Sequence, residues 1–169
     1  MLQKRVEADD ANAMHNLACY YRDGEMGLPQ DYGKALELWL RGAELENKES
    51  QCSIADAYRQ GQGVERDMGK AKHYWELAAV GGDVVSRYNL GMLEASIGNM
   101  DRAVKHYMIA AGAGCDDSLT QIREYFMHGA ATKDDFEKAL RAHKEAADEM
   151  KSDQRAAAAE FRANQRGRN

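Results

Sequence analysis

The chain has 169 residues, a formal net charge of −5, one Pro, 15 Gly and 8 Tyr. That is the size of one ordinary domain, with too little Pro and too many aromatic residues for a disordered segment. No apolar run of about 18 residues is present to span a membrane, MLQKRVEADD lacks the apolar stretch of a signal peptide, and the acidic balance argues against a nucleic-acid binder. The cysteines Cys19, Cys52 and Cys115 are odd in number and irregularly spaced. They make no disulfide framework and point to a reducing, intracellular setting such as the cytoplasm. The mean hydropathy of −0.71 promises only a thin core. With 27 Ala as helix formers and Gly as punctuation, the expectation is an all-α protein.

Two phrases alternate along the chain. The first unit, about residues 8–45, opens with Ala13, Leu17-Ala18 and Tyr21 and continues with Lys34-Ala35, Trp39 and Ala43. Each phrase is one stripe of an α-helix. Counting back from Leu17, Val6 and Leu2 fall at the Ala and Trp positions of a second helix, so residues 2–7 are expected to be the end of a helix from a preceding unit. The second unit, about 46–82, repeats the pattern with Ser50, Ile54-Ala55, Tyr58, then Lys70-Ala71, Trp75 and Ala79. The third, about 83–113, has Ser86, Leu90-Gly91, Glu94, then Arg102-Ala103, Tyr107 and Ala111, with a loop four residues shorter. The fourth, about 114–150, is degenerate: Ser118, Ile122-Arg123 and Phe126 precede Lys138-Ala139, His143 and Ala147. From the last Ala of one unit to the Leu or Ile of the next is 11 residues each time: 43 to 54, 79 to 90 and 111 to 122. A generic Ala-rich bundle would not hold that register. The same step from Ala147 reaches Ala158, so residues 151–169 are expected to form a capping helix with a basic tail, net +3 against −8 for the rest.

Within each unit Gly24, Gly61 and Gly98 are expected to stop the first helix. Asp31, Asp67, Asp101 and Asp134 or Asp135 are expected to cap the second. Asp116 and Asp117 also read as caps. Trp39 and Trp75 read as inter-helix core. The loop of the second unit contains Gly61, Gly63 and Val64 but follows a helix and lacks a Gly-Lys-Ser/Thr ending, so it is no phosphate loop. His15, Cys19 and Cys52 suggest zinc or a Cys/His nucleophile only weakly. Their spacing is not C-x2-C and no fourth ligand is apparent. Cys115 sits in a turn. His73, His106 and His143 are expected in surface or packing roles.

The second unit, Ser50-x3-Ile54-Ala55-x2-Tyr58-x2-Gly61-x-Gly63-Val64-x2-Asp67-x2-Lys70-Ala71-x3-Trp75-x2-Ala78-Ala79-x2-Gly82, resembles the Sel1-like repeat, a relative of the tetratricopeptide repeat. The resemblance covers about residues 8–150. The stretch from Lys133 to His143, with Met150 to Arg155, is similar to eukaryotic microbial Sel1-repeat proteins, some of which carry a RING finger ahead of the repeats. No such Cys/His cluster is present here. The resemblance implies a right-handed α-α superhelix of about four helix pairs with first helices lining a concave groove, and a non-catalytic scaffold or adaptor that binds a peptide or partner helix there. By likeness to tetratricopeptide packing, the groove residues are His15, Cys19 and Arg22, then Cys52, Asp56 and Arg59, then Tyr88, Met92 and Ala95, then Thr120, Glu124 and Met127. The expected partner is a protein, with no cofactor, metal, nucleic acid or small-molecule substrate. Alternatives are a fixed subunit of a larger complex or a fragment of a ubiquitin-ligase-type protein. Some secreted members are credited with β-lactamase activity, but this chain lacks their paired cysteines, which disfavours an enzyme.

Overall fold

The structure is a computed structural model and describes residues 2–166, all of whose regular elements are helices. They are α1 (Leu2–Glu7), α2 (Ala11–Asp23), α3 (Tyr32–Glu44), α4 (Lys48–Gln60), α5 (Met68–Val80), α6 (Val84–Ser96), α7 (Met100–Gly112), α8 (Asp116–Met127) and α9 (Lys133–Arg166). The side chains of Leu2 and Ala158, and the tail residue Arg168, lie outside what is described. The chain divides into two compact units, residues 1–93 and 94–169.

In the first unit α1 packs on α2, α2 on α3, α3 on α4 and α4 on α5. The two striped faces meet as expected. Ala13, Ala18, Ala35, Ile54, Ala55 and Ala71 have no exposed surface, and Trp39 and Trp75 are buried. Val6 of α1 packs in one cluster with Ala13, Met14 and Leu17 of α2. Small Ala side chains let the helices approach closely, and a few large residues fill the gaps. In the second unit α7 packs on α8 and α9, and α8 packs on α9. Ala103, Tyr107, Ala111, Ile122 and Ala139 are buried there at the corresponding positions.

The caps follow the sequence in the first unit. Asp31 accepts from the Lys34 backbone N–H at 2.9 Å and Asp67 from that of Lys70 at 3.0 Å. Gly24 and Gly61 close α2 and α4 in the left-handed conformation, and Gly98 adopts φ 84° just after α6. The second unit departs from expectation. Asp101 is not a cap, because α7 begins at Met100 behind Asn99 and carries Asp101 in its first turn. Asp134 and Asp135 are likewise inside the first turn of α9. The cap there is Thr132, which exchanges hydrogen bonds with Asp135: Asp135 N–H donates to Thr132 Oγ1 at 3.1 Å and Thr132 N–H donates to Asp135 Oδ2 at 3.1 Å. This is a capping box. Asp116 and Asp117 also lie within their helix, one step past Cys115.

The expected separate capping helix is not present among the described residues, because α9 runs unbroken for 34 residues. The other junctions explain this. Three residues after the last Ala of a unit, the chain takes positive φ at Glu46 (57°), Gly82 (84°) and Gly114 (89°). One residue later, Asn47 and Asp83 accept from Ser50 N–H and Ser86 N–H at 2.8 and 2.6 Å. The fourth unit places Met150 and Lys151 in those two slots. Neither residue is a Gly or a capping side chain, and the chain stays helical through both.

Candidate protein-binding face

The expected binding residues of the first unit lie on α2, α4 and α6. On α2, Cys19 Sγ is 3.5 Å from His15 Nε2, one helical turn away. Both are half-buried. Burial lowers the His15 pKa and raises that of Cys19. Cys52 on α4 is pushed up to about 12, again by burial. Thiols held protonated in this way are poor nucleophiles. Among the described residues no group of three or more His, Cys, Asp and Glu is placed to hold a metal ion.

Cys19 packs against the cluster of Trp39, Ile54 and Ala57, and Cys52 against that of Trp75, Ala79 and Leu90. The cysteines therefore belong partly to the seams between repeats. The exposed part of the face is charged. Arg22 holds Asp23 in a two-pronged pair at 2.6 and 2.7 Å, and its guanidinium stands 5.9 Å from the Trp39 ring centre. Arg59 Nε meets Asp56 Oδ1 at 3.2 Å. On α6, Tyr88 is half-buried and Met92 is 49% exposed. In the second unit Ala95 is half-buried, Thr120 and Glu124 are exposed, and Met127 is 71% exposed.

One arrangement was missed in the sequence. The Lys34 ammonium lies 5.3 Å from the Tyr21 ring centre, and the Lys70 ammonium 5.1 Å from that of Tyr58. The first three repeats place the same two positions together across the loop. In the third repeat they hold Arg102 and Glu94, 3.4 Å apart, so an ion pair stands where the others use a cation over a ring. Both phrases name the positions singly, but nothing in their spacing pairs them. Asp116, expected as a cap, instead reaches His143 Nε2 at 2.8 Å.

A family model for the Sel1 repeat matches residues 11–47 and 48–83. The chain is 33% identical over 107 residues to the ERAD-associated E3 ubiquitin-protein ligase component HRD3B of Arabidopsis thaliana, an alignment covering 63% of this chain and 17% of that protein. The chain thus spans about a sixth of that relative's length. It is similar to the crystal structure of a Sel1 repeat protein from Oxalobacter formigenes, with TM-score 0.74, 24% identity and coverage of 87% of this chain and 62% of that one. It is similar also to c5321, a protective antigen of uropathogenic Escherichia coli strains displaying an SLR fold, with TM-score 0.73, 24% identity and coverage of 88% and 32%. These neighbours place the fold in the α-α superhelix class. Among the described residues no helix is long and apolar enough to cross a membrane.

Proposed function

With Sel1-repeat matches over residues 11–47 and 48–83, we propose that this chain is a non-catalytic Sel1-repeat scaffold that binds a peptide or partner helix of another protein. The binding face in the first unit is His15, Cys19, Arg22, Cys52, Asp56, Arg59, Tyr88 and Met92. Thr120, Glu124 and Met127 offer a separate surface in the second. The observation that carries this reading is the pair of exposed arginines, each held by a carboxylate on its own helix. Exposed ion pairs contribute about 0.2–1 kcal/mol, so Arg22 and Arg59 can exchange Asp23 and Asp56 for a partner's carboxylates at little loss, and arginine suits bidentate recognition. Met92 supplies adaptable apolar area beside them.

Three unpaired cysteines suit a cytoplasmic location. The protonated state favoured for Cys19 and Cys52 supports a binding role over a nucleophilic one. The likeness to HRD3B, named as a component of a ligase, favours a second reading in which the chain is held in one fixed complex. The test is quantitative affinity purification from the native source with wild-type chain and with Arg22→Glu plus Arg59→Glu. A reproducible partner lost at least tenfold in the double variant supports the proposed face. Undiminished recovery moves the face elsewhere. A chain insoluble alone and stable only in one stoichiometric complex favours the second reading.

A further inference from the structure

The α8/α9 side of the second unit carries an open cleft of about 210 Å³ lined by Leu119, Thr120, Arg123, Phe136 and Leu140. Leu140 is 47% exposed there. The repeat register identifies what such a cleft receives. In the second repeat the positions of Thr120, Arg123 and Phe136 are taken by Cys52, Ala55 and Met68, and these pack in one cluster with Leu90 and Leu93 of the following helix. In the first repeat Ala18, the counterpart of Arg123, and Ala35, the counterpart of Ala139, pack with Ile54 and Ala57 of α4. Each time the guest is a helix that inserts two apolar side chains three residues apart. Beyond α8 and α9, the chain supplies no such helix among the described residues, because α9 runs straight on through Met150 and Lys151.

One lining residue breaks the pattern. Where earlier repeats have Ala18, Ala55 and Gly91, this groove has Arg123, and it is exposed. An arginine at the mouth of an apolar groove asks for a carboxylate on the guest. We propose that the α8/α9 groove docks an amphipathic helix of another protein, one presenting apolar residues at i and i+3 with a carboxylate close by. The recognition mode is helix-in-groove, and it extends the chain's own repeat-to-repeat interface. The groove lies apart from the face proposed on α2, α4 and α6 and shares Thr120 with the surface proposed in the second unit. Helix α6 itself has the required chemistry in Leu90, Leu93 and Glu94.

The probe is therefore a fluorescently labelled synthetic peptide of residues 83–97, titrated with the full chain by anisotropy. Saturable binding is expected, weakened at least tenfold by Leu140→Glu and by Arg123→Glu. Both residues are exposed, so the thermal midpoint should stay within a few degrees and show that the variants fold. Absence of saturable binding, or affinity within twofold of wild type in Leu140→Glu, overturns the proposal. So does a Phe161→Asp chain that binds the peptide tenfold more tightly, because the chain's own C-terminal segment would then be the occupant. Concentration-dependent self-association in sedimentation velocity that Leu140→Glu abolishes overturns it in favour of a second copy.

Discussion

The side-chain amide of Asn99 donates a 2.8 Å hydrogen bond to Oε2 of Glu94, while Nη2 of Arg102 stands 3.4 Å from Oε1 of the same carboxylate. Glu94 is fully buried and Arg102 is largely exposed. The carboxylate stands where earlier repeats have Tyr21 and Tyr58, and the guanidinium where they have Lys34 and Lys70. A buried carboxylate depends on its partners far more than a ring depends on a nearby ammonium. Arg102→Ala should therefore lower stability by about 1–3 kcal/mol, whereas Lys34→Ala and Lys70→Ala should each lose about 0.5–1 kcal/mol. Chemical denaturation of the three variants checks the order, and equal losses would contradict the exchange of one pair type for the other.

Trp75 is 2% exposed and packs with Ala55, Ala71, Ala79 and Leu90. Trp75→Ala should destabilise the chain by about 3–5 kcal/mol, read as a large drop in the thermal midpoint. An unchanged midpoint would break the repeat register on which the fold is read.

Gly63 and Gly27 occupy similar loops with φ of 71° and 78°, yet they face different surroundings. A Cβ on Gly63 would stand 2.7 Å from the Tyr32 carbonyl oxygen, while a Cβ on Gly27 would meet nothing within 4 Å. Gly27→Ala should lose about 1–2 kcal/mol from backbone conformation alone. Gly63→Ala should lose clearly more, since the loop must also lift from α3. Similar losses for the two would argue against that close approach.

Burial lowers the pKa of His15 below its usual 6.5. A base whose folded pKa is depressed favours folding in its neutral form. Its contribution is complete above the unfolded value and is lost as pH falls through the lower folded one. The midpoint of the wild-type chain should thus fall more steeply below pH 6.5 than that of His15→Gln. Parallel curves would show that protonation of His15 is not linked to folding.

Cys52, pushed up to about 12 from 9.0, holds about a thousandfold less thiolate near neutral pH than an unshifted thiol. Iodoacetamide labelling followed by mass spectrometry should show Cys52 modified far more slowly in the native chain than in the urea-unfolded one. Equal rates would place the thiol in water.

The repeat was legible because its spacing is rigid. Four residues between Ala and Trp, four from Trp to the next Ala, and 11 to the following Leu or Ile mark nearly every buried stripe residue. Asp31 and Asp67 are legible as caps because each stands three residues ahead of the Lys whose backbone N–H it accepts from. Asp101 directly precedes Arg102, so the shortened loop leaves it inside the helix. Pairs across the loop, such as Lys34 with Tyr21, are 12 or 13 residues apart and have no helical periodicity to reveal them. The expected groove was blurred for a different reason. Two residues before the buried Leu or Ile, position 52 turns partly toward the next helix, so Cys52 packs at a seam that periodicity alone does not distinguish from solvent.

The junction slots at 46–47, 82–83, 114–115 and 150–151 bear on how an array of this kind lengthens or stops. At the first three, one residue turns left-handed and a new helix starts two residues later, and at the fourth neither happens. The boundaries differ in their two side chains: Glu46-Asn47 and Gly82-Asp83 pair a left-handed residue with a capping one, Gly114-Cys115 turns without a side-chain cap, and Met150-Lys151 stays helical. Gly at 150 with Asp at 151 would place a left-handed residue and a capping side chain where α9 now runs on, which favours a break of that helix at this boundary.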